Sequence, residues 1–304
     1  MLGPNEDLPT LIARKDHLEV LRYIRVHELR EPSLVITHGQ SLLGTKLSGN
    51  LGDDAARLAV LEQVCLAALD LSNHDLAEGC LSQLKDKVGK ESTRFRCLLA
   101  RCLEASADFD GANAIYDQLL ADNPANLVAL QRKYCIARAQ RKEPSEVIAA
   151  LDEYLGQQLS DVSGWYEMVK LRLSIADFKG AAYALEQVVL GCPLDSDIHM
   201  QLAEVYATLG GLENLLLARK HMAQALELDG TNLRAKFGLV SVANQYLEAS
   251  SEASKKDIDE HEKLVAKELV KYGATAVMKD YNGSKMVETV KAVMDDFTEN
   301  LESL

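Results

Sequence analysis

RFRCLLARCLEASADFDGANAIYDQLLADNP, from Arg94 to Pro124, reads as one helix, a break at Ala107-Asp108, a second helix and a terminating Asn-Pro. In the second helix Ala112, Tyr116 and Leu119 fall at i, i+4 and i+7, which places them on one face. The small Ala112 lets a paired helix approach closely, and the two larger residues fill the seam.

The pattern recurs down the chain. WYEMVKLRLSIADFKGAAYALEQVVLGCP (Trp165 to Pro193) offers Ala181, Leu185 and Val188, and its break Ala176-Asp177-Phe178 matches Ala107-Asp108-Phe109. Other units offer Ala77, Leu81 and Leu84; Val147, Leu151 and Tyr154; and Ala218, Met222 and Ala225. The leading positions are spaced 35, 35, 34 and 37 residues apart, the last interval carrying an enlarged turn at Gly210-Gly211. A fixed period of this length is the signature of stacked helix pairs, and the array resembles tetratricopeptide repeats. The units depart from the strict consensus: Trp165 is the only Trp, and Gly is mostly missing from the first helices.

The expected fold is therefore all-α, a tetratricopeptide-repeat right-handed α-solenoid with capping helices at both ends. The division expected is N-terminal helices over 1–50, the repeat array over 51–250 and a C-terminal helical cap over 251–304. Upstream, Leu8–Leu29 and Ser33–Leu43 read as two helices. A sixth first helix spans Leu233–Leu247, and the polar stretch Glu248–Lys256 reads as a loop before a helix at Asp257–Tyr272. Ser284 to Leu301 reads as a cap whose apolar face is Met286, Val290, Val293, Met294 and Phe297.

Charge and composition narrow the function. The net charge is -13 and the pI about 5.1, a field that repels phosphate backbones and anionic lipid surfaces, so nucleic acid is not an expected partner. The apolar run Leu58–Leu71 is broken by Glu62, Gln63 and Asp70, so it reads as a core helix. The N-terminus lacks a basic start and an apolar core, and the expected location is cytosolic. The six cysteines include no C-x-x-C pair and read as free buried thiols. The seven histidines are scattered, with His199 and His221 expected on helix surfaces. Ser106-x-Asp108-x-Asp110-Gly111 with Asp117 resembles a calcium loop, but the bidentate Glu is missing and the same place in other units is a helical break. No nucleotide-binding, zinc or nucleophile-elbow motif occurs, so neither a cofactor, a metal nor an enzymatic activity is expected.

The first helix of each unit is expected to line a groove. Arg94, Arg101, Gln131, Arg138, Tyr166, Lys170, Met200, Phe237, Asn244 and Gln245 are the protein-binding residues this register predicts. Basic residues in an otherwise acidic chain suit an acidic or helical segment.

Three stretches carry a closer resemblance: LGDDAARLAVLEQVCLAALDLSNHDLAEGCLSQL (51–84), EVIAALDEYLGQQLSDVSGWYEM (146–168) and YATLGGLENLLLARKHMAQALELDGTNLRAKFGL (206–239). The GGLENLLLARK insertion and the following RAKFGL are the most specific. Over about residues 10–250 the chain resembles the family of subunit 2 of the endoplasmic reticulum membrane protein complex. The resemblance implies a non-catalytic scaffold supporting insertion of tail-anchored and multipass membrane proteins. It also implies partners (membrane subunits 3 and 5, soluble subunit 8 or 9) and a peripheral place on the cytosolic face of the endoplasmic reticulum. The alternative is a co-chaperone-type module gripping heat-shock protein C-terminal peptides, which needs Lys and Asn where this chain has Arg94, Arg101, Gln131 and Cys135.

Overall fold

A computed structural model describes residues 7–43, 54–252, 259–299 and 301. Sixteen helices are described there, and no strand. Three come first: α1 (Leu8–Arg14), α2 (His17–Val26) and α3 (Pro32–Leu43). Helix pairs follow in chain order. They are α4 (Asp54–Asp70) with α5 (His74–Val88), α6 (Thr93–Ala105) with α7 (Phe109–Asp122), and α8 (Leu127–Ala139) followed by α9 (Pro144–Gln157). Next are α10 (Val162–Ser174) with α11 (Phe178–Gly191), and α12 (Ser196–Leu209) with α13 (Leu212–Leu228). The chain closes with α14 (Leu233–Glu252), α15 (Glu260–Asp280) and α16 (Val287–Glu299).

The chain divides into two compact units, Met1–Lys142 and Glu143–Leu304. Each is a tetratricopeptide-type α-solenoid segment. One core cluster of the first unit runs from Leu11 through Val64 to Leu98, so α1–α3 share their core with the first repeats.

The anchors that set the period are all buried: Ala77, Ala112, Val147, Ala181 and Ala218. Tyr116, Leu119, Leu151, Leu185 and Val188 fill the seams beside them. Side-chain caps start many of the helices. Asp108 accepts from Gly111 N, Asp161 from Gly164 N and Asp177 from Gly180 N, each at 3.0 Å. An aspartate with a glycine three residues later is thus a recurrent N-cap, satisfying an amide the helix leaves free. The calcium-like loop is resolved in the same way, since Asp108 is spent as the cap of α7 and Asp117 pairs with Lys133 at 2.6 Å.

The breaks share one geometry. Ser72, Ala107, Arg141 and Ala176 have φ of 56°, 61°, 52° and 57°, in the left-handed region. At Ala107 the amide donates to Glu104 O and the next amide to Leu103 O, both at 2.9 Å, and the other three breaks repeat that pairing. This is the Schellman termination, reached here without glycine.

Several sequence expectations are corrected. The N-terminal helix Leu8–Leu29 is two helices, parted at Lys15, whose φ is 58°. Glu248–Glu252 belongs to α14 rather than a loop, because Ser250 is buried with its hydroxyl donating to Tyr246 O at 2.6 Å. A polar side chain that bonds its own helix sits in an interior turn without an orphaned group. The remainder of that expected loop, 253–258, lies outside the described residues. On α16, Val290 and Met294 face the core and Val293 is exposed, as is Met286 just before the helix. Phe297 packs partly buried against the same cluster.

Candidate functional site

The first unit holds a concavity of about 870 Å³, walled by α2, the α2–α3 turn, α4, α6 and α8. Arg25, Arg30, Gln63, Arg101, Glu104 and Arg132 project into it. Two of its arginines are already matched. Arg30 pairs with Asp70 at 3.0 Å. Arg132 donates through Nε to Glu104 Oε1 at 3.0 Å and closes a second bond from Nη2 to Oε2. The buried Tyr116 hydroxyl donates to the same carboxylate at 2.6 Å. Burial first, and then that hydrogen bond, push the Tyr116 hydroxyl well above the usual phenol range, while the bond to Glu104 pushes Arg132 up.

Arg25 and Arg101 make neither an ion pair nor a hydrogen bond among the described residues. Partial burial first, and then Arg22, lower the Arg25 pKa against the opposing pull of Glu62. Gln63 donates from Nε2 to Leu21 O at 3.1 Å, but its Oε1 is buried with no partner. The concavity thus holds two guanidiniums outside any ion pair among the described residues, together with the carboxylates of Glu28 and Glu31, against walls of Leu66, Ala67 and Phe109. A segment that carries apolar side chains and places an acidic group beside Arg25 or Arg101 would suit that lining.

The residues chosen from sequence scatter. Only Arg101 reaches this concavity. Arg94 is taken up in a two-pronged pair with Glu62 at 2.6 and 2.8 Å, and Gln131 is exposed on α8. Arg138 is exposed and donates to Tyr134 Oη at 3.2 Å. In the second unit Tyr166 donates to Gln201 Oε1 at 3.2 Å, and the exposed Lys170 lies 5.0 Å over the Tyr166 ring. Gln245 is exposed, bonded to Ser241 at 3.3 Å. Met200 and Asn244 are buried, correcting their assignment to an open face, and Phe237 packs edge-on against Tyr281. The physical reason is that a first helix packs against both its own partner and its neighbours. In α12 that leaves Ile198, His199, Met200, Leu202 and Ala203 all inside.

Arg25, Gln63, Glu104 and Arg132 were not anticipated. Arg132 is one residue from Gln131, so an error of one position on a helix, about 100°, separates the chosen side chain from the one that enters. Arg25 lies upstream of the repeats and carries no periodic signal.

Histidines also move from expectation. His199 is buried, and its Nδ1 lies 3.0 Å from Nδ1 of His221. His199 Nε2 also donates to Pro193 O at 3.1 Å. Tyr206 stacks on His221 and donates to Glu186. Burial, then His199, lower the His221 pKa against the opposing pull of Glu186. A second pair, His17 and His38, meets Nδ1 to Nδ1 at 2.9 Å, and burial, then His17, lower the His38 pKa. Among the described residues no group of three or more His, Cys, Asp or Glu could hold a metal ion, and no helix is long and apolar enough to cross a membrane.

Stacked helix hairpins, with polar groups gathered on a concavity, define a tetratricopeptide-type repeat protein. A family model, the EMC2 TPR-like repeat domain, matches residues 82–215. ER membrane protein complex subunit 2-A of Xenopus laevis is 36% identical over 296 residues, covering 95% of each chain. Subunit 2 of the same complex from Xenopus tropicalis matches at 36% over the same coverage. The Dictyostelium discoideum subunit 2 is 30% identical over 69% of this chain and 65% of its own. The chain belongs to the family of ER membrane protein complex subunit 2.

Proposed function

We propose that the chain is a non-catalytic scaffold subunit of the endoplasmic reticulum membrane protein complex. On this reading it supports insertion of tail-anchored and multipass membrane proteins by holding cytosolic parts of other subunits. Those would be membrane subunits 3 and 5 and soluble subunit 8 or 9, with the chain peripheral on the cytosolic face. The observation supporting the surface is the concavity of about 870 Å³ whose Arg25 and Arg101 make no ion pair among the described residues, in a chain of net charge -13. A preformed wall of helices supplies such a site without ordering itself on binding, which lowers the entropic penalty of capturing a partner segment. Arg138 in the first unit and Lys170 in the second are exposed, and each is a separate candidate contact.

The test is affinity purification of the tagged chain from detergent-solubilised membranes, followed by identification of what accompanies it. Transmembrane subunits of the complex should be recovered in fixed ratio. Arg25→Glu with Arg101→Glu should reduce that recovery about tenfold or more, since each reversal turns attraction into repulsion at a partly desolvated site. Arg138→Glu with Lys170→Glu should weaken it less. Full recovery with all four residues reversed refutes the assignment of the surface, and recovery of only soluble heat-shock chaperones refutes the scaffold reading itself.

A further inference from the structure

Among the six cysteines two are brought together by the fold. Cys65 on α4 and Cys102 on α6 lie 37 residues apart in sequence, yet their Sγ atoms are 4.0 Å apart. Cys65 is fully buried, with its Sγ 3.5 Å from Ala77 O, while Cys102 is half-buried. The two thiols are electrostatically unequal. The Cys102 thiol is held below its ordinary range, first by the hydrogen bond from Cys65 and lastly by Arg101, against burial and Glu78. Cys65 is pushed far up by the same hydrogen bond and by burial. Cys97 and Cys135 are pushed up mainly by burial, and Cys80 rises to about 11 for that reason.

We propose that Cys65 and Cys102 form a peroxide-sensitive disulfide site linking α4 to α6. The half-buried Cys102 is the attacking sulfur and the buried Cys65 resolves the product. In the first step the Cys102 thiolate attacks an oxygen of hydrogen peroxide, the O–O bond breaks, and the departing hydroxide is protonated to water, giving a sulfenic acid. In the second step Cys65 loses its proton and attacks the Cys102 sulfur. The S–S bond forms as the S–O bond breaks, and a second water leaves. Two thiols lose two electrons and two protons, and the hydroperoxide is reduced by the same two electrons. With hydrogen peroxide the products are one disulfide and two waters.

The geometry makes the second step short. A disulfide needs the sulfurs about 2.05 Å apart, so each must move by roughly 1 Å from the separation of 4.0 Å. Rotation about the side-chain bonds and a small shift of α4 against α6 supply that. The shift has a readable address: Arg101, adjacent to Cys102, and Gln63, two residues from Cys65, both line the first-unit concavity. Oxidation would tie together two of the helices that wall that concavity.

The experiment exposes the reduced full chain to a modest excess of hydrogen peroxide, quenches with an alkylating agent, and maps a non-reducing digest by mass spectrometry. A Cys65–Cys102 linked peptide should dominate, and reduction should abolish it. Cys65→Ser should instead accumulate a sulfenic acid on Cys102, trapped by dimedone. Cys102 should react about tenfold faster than Cys135, which has no thiol neighbour. Oxidation of Cys97 or Cys135 before Cys102, or passage of Cys102 to sulfinic acid in the wild-type chain without a linked peptide, would overturn the proposal. The wild-type map decides the matter even where the Cys65→Ser variant folds poorly.

Discussion

Replacing Glu104 by Ala is the most informative perturbation of the first unit. Its side chain is 8% exposed, and it accepts from the Tyr116 hydroxyl and from two nitrogens of Arg132. One carboxylate therefore ties α6, α7 and α8. Truncation leaves the Tyr116 hydroxyl buried without an acceptor, which costs about 1–3 kcal/mol. The Arg132 side chain is 28% exposed and keeps part of its hydration, so its loss adds only roughly 1 kcal/mol. The expected destabilisation is about 2–4 kcal/mol, or roughly 5–12 °C in melting temperature for a unit of this size. Urea denaturation followed by far-ultraviolet circular dichroism measures it. Tyr116→Phe removes the hydroxyl, so Glu104→Ala made in that background should cost about 1–2 kcal/mol less than in the native chain. Should Glu104→Ala stay within about 0.5 kcal/mol of wild type, the carboxylate is not holding the three helices and the reasoning fails.

Acidification should destabilise the fold. His221 and His38 have folded pKa values below the unfolded value of about 6.5, so the unfolded chain binds more protons and stability falls as pH drops below about 6.5; His221→Gln should flatten part of that slope in melting curves between pH 7 and pH 5. Ala181→Leu should cost about 1–3 kcal/mol by overpacking a fully buried seam, read as a lower urea midpoint, whereas the exposed Tyr183→Leu should change it by less than about 0.5 kcal/mol.

How far the sequence carried the fold is clear from particular residues. Ala112, Tyr116 and Leu119 announce a buried face because their spacing matches the helical period, and every repeat copies them. The breaks were legible for the same reason: Ala107-Asp108-Phe109 and Ala176-Asp177-Phe178 end one helix and cap the next. The concavity was not legible. Its members come from α2, α4, α6 and α8, and whether a side chain enters depends on helix rotation that no repeat position records. Gln131 and Arg132 differ by one residue and only Arg132 enters. The histidine pairs fail for another reason. His199 and His221 are 22 residues apart on adjacent helices, and a polar pair that satisfies itself leaves no apolar pattern to read.

The glycine-free terminations at Ser72, Ala107, Arg141 and Ala176 have a consequence for how this chain can change. A left-handed residue with a side chain is mildly unfavourable, by about 1 kcal/mol, and here it is occupied by a serine, two alanines and an arginine alike. The bend is thus enforced by where the preceding helix runs out and the following cap begins, with the identity of the bending residue left open. Spelling at the bend is free; counting within a helix is not, because one inserted residue would turn the later side chains of that helix by about 100° out of their seam. The chain respects that arithmetic through four breaks. Where its interval lengthens to 37 residues, the bend passes to Gly210 and Gly211, both at positive φ, the two letters that tolerate a miscount.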